Sequence, residues 1–192
     1  MDWIKFFDAS SGRAVRPLLP RVLELREDAV PGVAVDLGCG DGTESRFLAS
    51  QGWRVHAFDG ARDTETRVPA GLSPADAARI TARRVAFEDI QALPANQLMY
   101  AGRSLPFCVE PEFPQLWSLI RGSLITSGLF VGDFFGPHDS WFGRPGMNFH
   151  SREEVEALLD GLEILELTEN EGPATTPFGD KHLHILTVIA RA

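Results

Sequence analysis

Hydrophobic and polar positions along this chain alternate between two patterns. Short apolar runs typical of buried strands recur, and between them apolar residues return every three or four positions, as on one face of a helix. The pattern predicts strands at 33–37, 53–58, 84–87, 97–101, 128–134, 162–167 and 183–190. It predicts helices at 15–26, 41–50, 73–82, 112–121 and 151–160. Such alternation is typical of a parallel sheet with helices on both faces.

The last part of the chain departs from this alternation. The final two predicted strands are joined by residues 170–179, which contain two prolines and two glycines and show no helical pattern. A strand–loop–strand connection is most simply antiparallel, so we expect the last strand to run against the others. The predicted fold class is therefore α/β: a Rossmann-like, doubly wound, seven-stranded sheet, mostly parallel, with the last strand antiparallel.

Length and charge narrow the kind of protein. The chain has 192 residues and a formal charge of −9, with 18 Lys and Arg against 27 Asp and Glu. Since domains average roughly 150 residues, we expect a single domain. An acidic surface argues against nucleic acid and anionic lipid as partners, because both bind basic surfaces. The partner expected instead is a small molecule.

Cysteine usage and hydropathy bear on the compartment. Cys39 and Cys108 are too few for a disulfide framework and are compatible with a reducing environment. We find no secretory signal pattern and no run approaching the ~18 apolar residues that a bilayer span requires. The expected location is cytoplasmic, with no membrane association.

The most informative segment joins the first predicted strand to the helix after it. Glycines at 38, 40 and 42 allow positive φ angles and let a ligand approach the backbone with no Cβ in the way. No Lys follows Gly42, which excludes a P-loop, and Thr43 breaks the dinucleotide pattern G-x-G-x-x-G. Asp59 ends the second predicted strand, where a carboxylate can accept hydrogen bonds from both hydroxyls of an unmodified ribose.

The acid-led G-x-G-x-G motif, together with an acid at the end of strand two, resembles the class I S-adenosylmethionine-dependent methyltransferases from about residue 30 onward. The resemblance implies S-adenosyl-L-methionine as the cofactor. It implies that the backbone at Gly38, Gly40 and Gly42 packs against the methionine part. Asp36 would orient this loop or reach the amino group through water, and Asp59 would hold the ribose. The remaining cofactor residues that it implies are Gly60, Asp89, Ile90 and Ala101.

Two of these residues belong to a segment that resembles the adenine-contacting motif, Phe87-Glu88-Asp89-Ile90. Asp89 would accept a hydrogen bond from the adenine amino group, and the backbone N–H of Ile90 would reach a ring nitrogen. Glu88 competes with Asp89 for the acidic role. The alternative for either acid is a helix cap or a solvated loop.

The start of the chain is similar to the N-terminal lids of small enzymes of the thiopurine and tellurite-resistance type. In such lids an aromatic or basic residue closes over the cofactor. Arg13 is therefore expected to pair with the cofactor carboxylate, which suits a bidentate guanidinium. This divides the predicted single domain, 1–192, into an N-terminal lid and helix, 1–30, and a cofactor-binding core, 31–192.

Candidate catalytic residues follow from the rule that ligands bind outside the carboxyl ends of parallel strands. His138, His182 and His184 lie on segments expected at that edge, and Tyr100 ends the fourth predicted strand. A histidine there can take a proton from the acceptor, and the Tyr100 hydroxyl can orient it. Two alternatives stay open for the histidines: a polar network that pins loops, or a metal site with Asp139. Since no ligand spacing supports the latter, no metal is predicted.

The sequence thus predicts methyl transfer from S-adenosyl-L-methionine to a small-molecule acceptor by in-line displacement. A small acceptor is favoured because the segment after strand four, residues 101–104, lacks the Asn-Pro-Pro-Tyr-like motif of many nucleic-acid and protein methylators. The alternatives are a protein that keeps the fold for binding or rearrangement without methyl transfer, and an NAD-dependent oxidoreductase. The oligomeric state is not indicated.

Overall fold

Seven strands in the order β3-β2-β1-β4-β5-β7-β6 form one sheet in the computed structural model, which describes residues 3–10, 12–26, 30–176 and 179–192. The strands are β1 (Val33–Leu37), β2 (Arg54–Asp59), β3 (Ile80–Arg84), β4 (Asn96–Ala101), β5 (Leu124–Phe135), β6 (Glu163–Thr176) and β7 (Gly179–Arg191). The helices are α1 (Trp3–Ser10), α2 (Leu18–Glu24), α3 (Thr43–Ser50), α4 (Thr64–Arg67), α5 (Pro74–Ala77), α6 (Phe113–Ser123) and α7 (Arg152–Leu158). Short 3₁₀ turns cover Phe87–Asp89, Leu105–Phe107 and Glu110–Glu112.

Strand directions match the fold expected from the sequence. The five neighbouring strands β3, β2, β1, β4 and β5 are parallel to one another. Strand β7 lies between β5 and β6 and is antiparallel to both. The predicted Rossmann-like sheet with an antiparallel last strand is therefore confirmed. None of the described helices is long and apolar enough to cross a membrane.

Side-chain alternation on β1 shows how the two faces of the sheet are covered. Val35 and Leu37 enter a buried cluster with α6 and α7, whereas Ala34 enters a cluster with α2 and α3 on the other face. Successive strand residues point to opposite faces, so β1 is apolar on both. Asp36 lies on the same face as Ala34 and is 2% exposed, which places a carboxyl group in the apolar layer beneath α3.

The predicted helix at 73–82 is shorter in the structure, and the strand after it begins earlier. Ser73 caps α5 by accepting a hydrogen bond from the backbone N–H of Asp76 at 3.2 Å, as its sequence indicates. The helix ends after one turn because residues from Ile80 to Arg84 pair in parallel with β2. Sheet pairing thus overrides the local helical pattern, and β3 occupies 80–84 instead of 84–87.

The predicted loop 170–179 is also different, because β6 and β7 extend through most of it as a long hairpin. Their antiparallel register runs out to Thr176 opposite Gly179. Pro173 does not interrupt the pairing because β6 is the edge strand, where a missing N–H is tolerated. The hairpin reaches past the end of the parallel strands and brings new side chains to the ligand-binding edge.

Candidate cofactor and acceptor site

A cavity of about 450 Å³ opens at the carboxyl ends of β1, β2 and β4. This is the edge at which open α/β sheets bind ligands, and the volume lies in the ~300–1,000 Å³ range of small-molecule sites. Its wall is built by α1, by the glycine loop 38–41, by residues 85–88, by the turn 102–104 and by the outer part of the β6/β7 hairpin.

The glycine loop adopts the conformation that its composition predicts. Gly38, Gly40 and Gly42 all have positive φ angles, of 68°, 52° and 79°. A Cβ on Gly38 would lie 2.3 Å from the Cβ of Ser104, and one on Gly42 would lie 2.9 Å from the Cα of Val68. The glycines are therefore required both by φ and by close packing behind the loop, while the backbone of Gly38 and Gly40 faces the cavity.

Asp59 lies on the cavity wall at the end of β2. Its Oδ2 accepts the backbone N–H of Gly40 at 2.9 Å, and its Oδ1 accepts that of Ala61 at 2.9 Å. Each carboxylate oxygen has a second lone pair for another donor. The carboxylate can thus hold the glycine loop and still accept two ligand hydroxyls.

Asp36 holds α3 against β1. Its Oδ2 accepts a hydrogen bond from the Ser45 hydroxyl at 2.6 Å. The pKa of Asp36 is raised to about 7, chiefly by burial. Ser45 and Arg13 act to lower it, and the charges of Glu44 and Asp59 add to the rise. Since the carboxyl binds a proton more readily in the folded chain than in the unfolded one, it titrates near neutral pH.

The raised pKa of Asp36 predicts a pH-dependent stability. Between its ordinary pKa of 3.8 and about 7, the folded chain binds more protons than the unfolded chain, so this group lowers the free energy of unfolding as the pH rises. In Asp36→Asn this contribution is absent. Urea unfolding at pH 5, 6 and 7 should show the variant gaining stability relative to wild type with each step. A difference that stays constant with pH, as expected for Asp160→Asn, would contradict the shift.

Arg13 lies at the cavity but is bound to the protein itself. Its guanidinium donates to both carboxylate oxygens of Asp41 at 3.0 Å, to both of Glu44, and to the carbonyl of Ala14 at 3.3 Å. A guanidinium has five N–H donors, and these contacts use all of them. The guanidinium therefore keeps no N–H donor for the cofactor carboxylate with which the sequence predicts it to pair. Arg13 instead ties the N-terminal segment to the start of α3.

Helix α1 lies where the sequence predicts a lid. Trp3, Phe6 and Phe7 line the cavity, and Phe7 is buried. The ring of Trp3 meets Phe107 edge to face at 4.7 Å, and the guanidinium of Arg67 lies 4.2 Å from the ring centroid of Phe7. These contacts hold α1 against the cavity wall.

The other predicted cofactor residues divide into two sets. The structure brings one set to the cavity wall: Arg13, Asp36, Gly38, Gly40, Asp59 and Gly60. Among the residues that the structure describes, the wall does not include the other set: Gly42, Asp89, Ile90 and Ala101. Gly42 instead precedes α3, and Ala101 is buried in β4.

The segment that resembles the adenine-contacting motif forms a 3₁₀ turn at Phe87–Asp89, in which successive side chains point about 120° apart. Glu88 consequently lines the cavity, whereas Asp89 is exposed outside it. The backbone N–H of Ile90 donates to the carbonyl of Phe87 at 3.3 Å. Of the two acids that the sequence offers, Glu88 has the position that a ligand can reach.

Tyr100 is the candidate catalytic residue that the structure does bring to the cavity. Its side chain is buried, and its hydroxyl has no hydrogen-bond partner among the described residues. Burial raises the pKa of Tyr100 well above its ordinary value, and Glu44 and Asp133 raise it further. The hydroxyl is therefore a neutral donor that is free to bind a ligand.

The three candidate histidines are placed differently. His182 and His184 share one face of β7, as predicted, but Lys181 and Leu183 on the opposite face line the cavity. His138 likewise lies outside the wall that the described residues form. Their predicted role as proton acceptors is not supported by this placement, since strand alternation turns them away from the site.

Lys181 is a cavity residue that sequence reasoning missed. Its side chain is 3% exposed, and its Nζ lies 2.6 Å from the Oδ1 of Asp139, which is fully buried. The same Nζ lies 3.6 Å from the ring centroid of Trp141 and 4.6 Å from that of Phe135. Burial lowers the pKa of Lys181, and Asp139 offsets part of that effect. The sequence signal for it is strand alternation: residues 181 and 183 share one face of the strand, and residues 182 and 184 share the other.

A second missed residue is Arg103, in the turn after β4. It has a φ of 55°, unusual for a residue other than glycine, and its backbone N–H donates to Asp133 at 2.9 Å. The residue lines the cavity, and its guanidinium makes no hydrogen bond within the described part of the chain. A positive group is thus held at the ligand-binding edge by an unusual backbone conformation.

Comparison with known proteins agrees with this geometry. The family model described as tellurite resistance protein TehB matches residues 14–94, from the N-terminal segment through the glycine loop to the 3₁₀ turn with Glu88. Comparison with curated proteins finds no match.

Solved structures show the same fold at low sequence identity. TehB from Haemophilus influenzae has a TM-score of 0.77 at 16% identity, covering 98% of this chain and 66% of its own. The N-methyltransferase NodS from Bradyrhizobium japonicum WM9, solved with S-adenosyl-L-homocysteine, has a TM-score of 0.67 at 15% identity, covering 91% and 85%. The glycopeptide N-methyltransferase MtfA has a TM-score of 0.60 at 13% identity, covering 84% and 89%. The chain thus spans just under two-thirds of the length of the TehB chain.

The fold is that of the class I S-adenosylmethionine-dependent methyltransferases. The match to the TehB family model covers residues 14–94, which is less than half of the chain. Both findings agree with the resemblance stated from the glycine loop and Asp59.

Proposed function

We propose that this protein transfers a methyl group from S-adenosyl-L-methionine to a small-molecule acceptor. The observation that carries the proposal is the Asp59 carboxylate on the cavity wall, which holds the glycine loop and keeps a free acceptor position on each oxygen. The unpaired, buried hydroxyl of Tyr100 on the same wall is a second feature that a ligand would satisfy. These groups fit the cofactor.

Each part of the cofactor has a candidate partner in this chain. Asp59 would accept the ribose hydroxyls, and Glu88 would accept the adenine amino group. The backbone of Gly38 and Gly40 would pack against the methionine part. Because Arg13 is fully bound elsewhere, we assign the cofactor carboxylate to Arg103, whose guanidinium is free of hydrogen bonds within the described chain. When bound, the cofactor supplies a methyl group on a positively charged sulfur.

The acceptor would bind at the aromatic end of the cavity. Phe107, Phe135 and Trp141 line this end together with Lys181. Aromatic faces attract a sulfonium and exclude water, which favours alignment of a small acceptor for in-line attack. The Lys181 ammonium, neutralised by Asp139, can donate a hydrogen bond that orients the acceptor. NodS and MtfA are N-methyltransferases, so amines are the first acceptor class to test.

Isothermal titration calorimetry tests the first half of the proposal. We expect S-adenosyl-L-methionine and S-adenosyl-L-homocysteine to bind with one site per chain and NAD not to bind. NAD binding without binding of either sulfur nucleoside would favour an oxidoreductase and overturn the proposal.

A transfer assay tests the second half. Tritiated methyl groups from the cofactor should appear on at least one member of a panel of small amines, thiols, carboxylates and metalloid oxyanions. Cofactor binding with no transfer to any member would instead favour a binding or rearrangement protein.

A further inference from the structure

A second group of chemistry-bearing side chains lies on the face of β7 turned away from the cavity. His138, Glu171 and His184 each offer one ligand atom, and these atoms all lie within 4.8 Å of one another. They come from three separate segments: the loop after β5, the edge strand β6, and β7. In the folded chain Glu171 lies directly opposite His184 in the hairpin register.

The hydrogen bonds around these residues fix their orientation. The Nδ1 of His138 lies 3.2 Å from one oxygen of Glu171, and the Nε2 of His182 lies 2.8 Å from the other. The Nε2 of His184 lies 2.8 Å from Glu169. Three imidazoles and two carboxylates therefore meet in one network. The two carboxylates carry a charge of −2, and Arg152, 3.5 Å from Glu169, offsets one of these charges. A divalent cation beside Glu171 would balance the remainder.

The ring of His184 is held particularly firmly. Its Nδ1 accepts the backbone N–H of His138 at 3.1 Å, so its proton resides on Nε2 and is donated to Glu169. The ring lies against Gly136, where a Cβ would be 2.1 Å from Nδ1, and its plane is stacked with that of His138 at 4.9 Å. Binding a metal through either nitrogen exchanges one of these hydrogen bonds for a metal bond.

We propose that His138, Glu171 and His184 form a binding site for a divalent transition metal such as Zn²⁺. The imidazole of His182 and the carboxylate of Glu169 would support these ligands by hydrogen bonds. Imidazole with carboxylate is a ligand set that Zn²⁺, Ni²⁺ and Cu²⁺ accept, and supporting hydrogen bonds to the ligands are usual at such sites. Water would complete a tetrahedral arrangement.

The ligands can reach a metal by small movements. Zn–N distances of about 2.0–2.1 Å place tetrahedral ligand atoms roughly 3.3 Å apart, so atoms now up to 4.8 Å apart must approach by about 1.5 Å. The side chains of His138 and Glu171 are 65% and 44% exposed and are free to make this adjustment. His184 is buried and would serve as the fixed ligand.

The proposed metal would lie on the face of β7 opposite the cavity and would affect the cavity through the loop 136–141. Gly136 donates its backbone N–H to the carbonyl of His184 at 2.9 Å, and Ser140 donates to that of His182 at 3.0 Å, so the loop 136–141 already lies along β7. This loop also carries Trp141, which lines the aromatic end of the cavity, and Asp139, which pairs with the cavity residue Lys181. A metal that joins His138 to β6 and β7 would hold that wall against the hairpin without contacting the cofactor.

The test uses the full-length protein without a histidine tag at pH 7.5, because proton binding competes with metal binding at lower pH. Co²⁺ is titrated and its visible absorption recorded, and Zn²⁺ is then added as a competitor. We expect one Co²⁺ per chain, displaced by Zn²⁺, and a rise of the melting temperature with Zn²⁺. His138→Gln and Glu171→Gln change exposed side chains and should each weaken Co²⁺ binding at least about tenfold.

Two matched variants serve as controls. His56→Gln removes an imidazole on β2, and Glu153→Gln removes an exposed carboxylate on α7; neither should alter Co²⁺ binding. The proposal is overturned if the His138 and Glu171 variants bind Co²⁺ as wild type does, or if the control variants lose binding equally. In the first case the cluster is an ion-pair network that fastens the hairpin to the loop. Cofactor binding, measured separately, should be the same in all four variants.

Discussion

Replacing Asp59 with Ala is expected to weaken binding of S-adenosyl-L-methionine by about 5- to 150-fold, which corresponds to roughly 1–3 kcal/mol for the loss of charge-assisted hydrogen bonds. The carboxylate lies on the cavity wall and has one free acceptor position on each oxygen. Calorimetric titration of wild type and variant with the cofactor measures the difference. An unchanged affinity would refute the role of Asp59 as the ribose acceptor.

Asp59 also accepts the backbone N–H groups of Gly40 and Ala61, so its replacement could weaken binding by disturbing the glycine loop. Further variants separate this effect from the loss of a direct contact with the ribose. Asp59→Asn keeps one acceptor oxygen and should lose less affinity than Asp59→Ala. Asp160→Asn, a change at an exposed position, is the matched control and should bind as wild type. Thermal unfolding of each variant shows whether the fold is retained at the temperature of the titration.

Replacing Asp139 with Ala is expected to lower the free energy of unfolding by about 3–5 kcal/mol, the usual cost of leaving one partner of a buried ion pair alone. The side chains of Asp139 and Lys181 are 0% and 3% exposed, so water cannot solvate the remaining ammonium. Asp139 also accepts the backbone N–H of Trp141 at 2.9 Å and that of His184 at 3.2 Å. Urea unfolding measures the loss.

A double-mutant cycle with Lys181→Met isolates the pair. The Asp139→Ala, Lys181→Met double variant should be more stable than Asp139→Ala alone, because no charge is left buried; it should stay below wild type because the two backbone donors remain unpaired. Additive effects would show that the two charges do not interact. The exposed pair of Arg152 and Glu156 is the comparison: Glu156→Ala should cost less than about 1 kcal/mol.

The wall of the cavity around Asp59 could be predicted from the sequence because its signals are local. The glycine loop requires positive φ at three nearby positions, and Asp59 stands at the end of the next strand, so strand order alone brings them together. The lid segment likewise precedes the first long helix. The same reasoning did not separate Glu88 from Asp89, since that choice depends on which residue of a single 3₁₀ turn points inward.

The other side chains at the cavity are placed by long-range contacts that no short sequence pattern records. Arg13 is bound by Asp41 and Glu44, which lie on the other side of α2 and β1 in the sequence. The outer hairpin was read as a loop because of its prolines and glycines, although pairing between β6 and β7 makes it sheet. Because the outer part of β7 was predicted as a loop, the sequence did not show that Lys181 faces the cavity and that His182 faces away from it.

The outer part of β7 carries two different chemistries on its two faces: an ammonium toward the cavity and imidazoles away from it. Because side chains on a strand alternate strictly, inserting or deleting one residue between His184 and Ile185 would exchange the faces of the outer segment, while the register of β7 with β5, the glycine loop and Asp59 stay in place. A single change in chain length would then present an imidazole to the cavity instead of an amine. If the acceptor binds where we propose, this hairpin is a position at which a change in chain length alters the chemistry offered to it while the cofactor wall is unchanged.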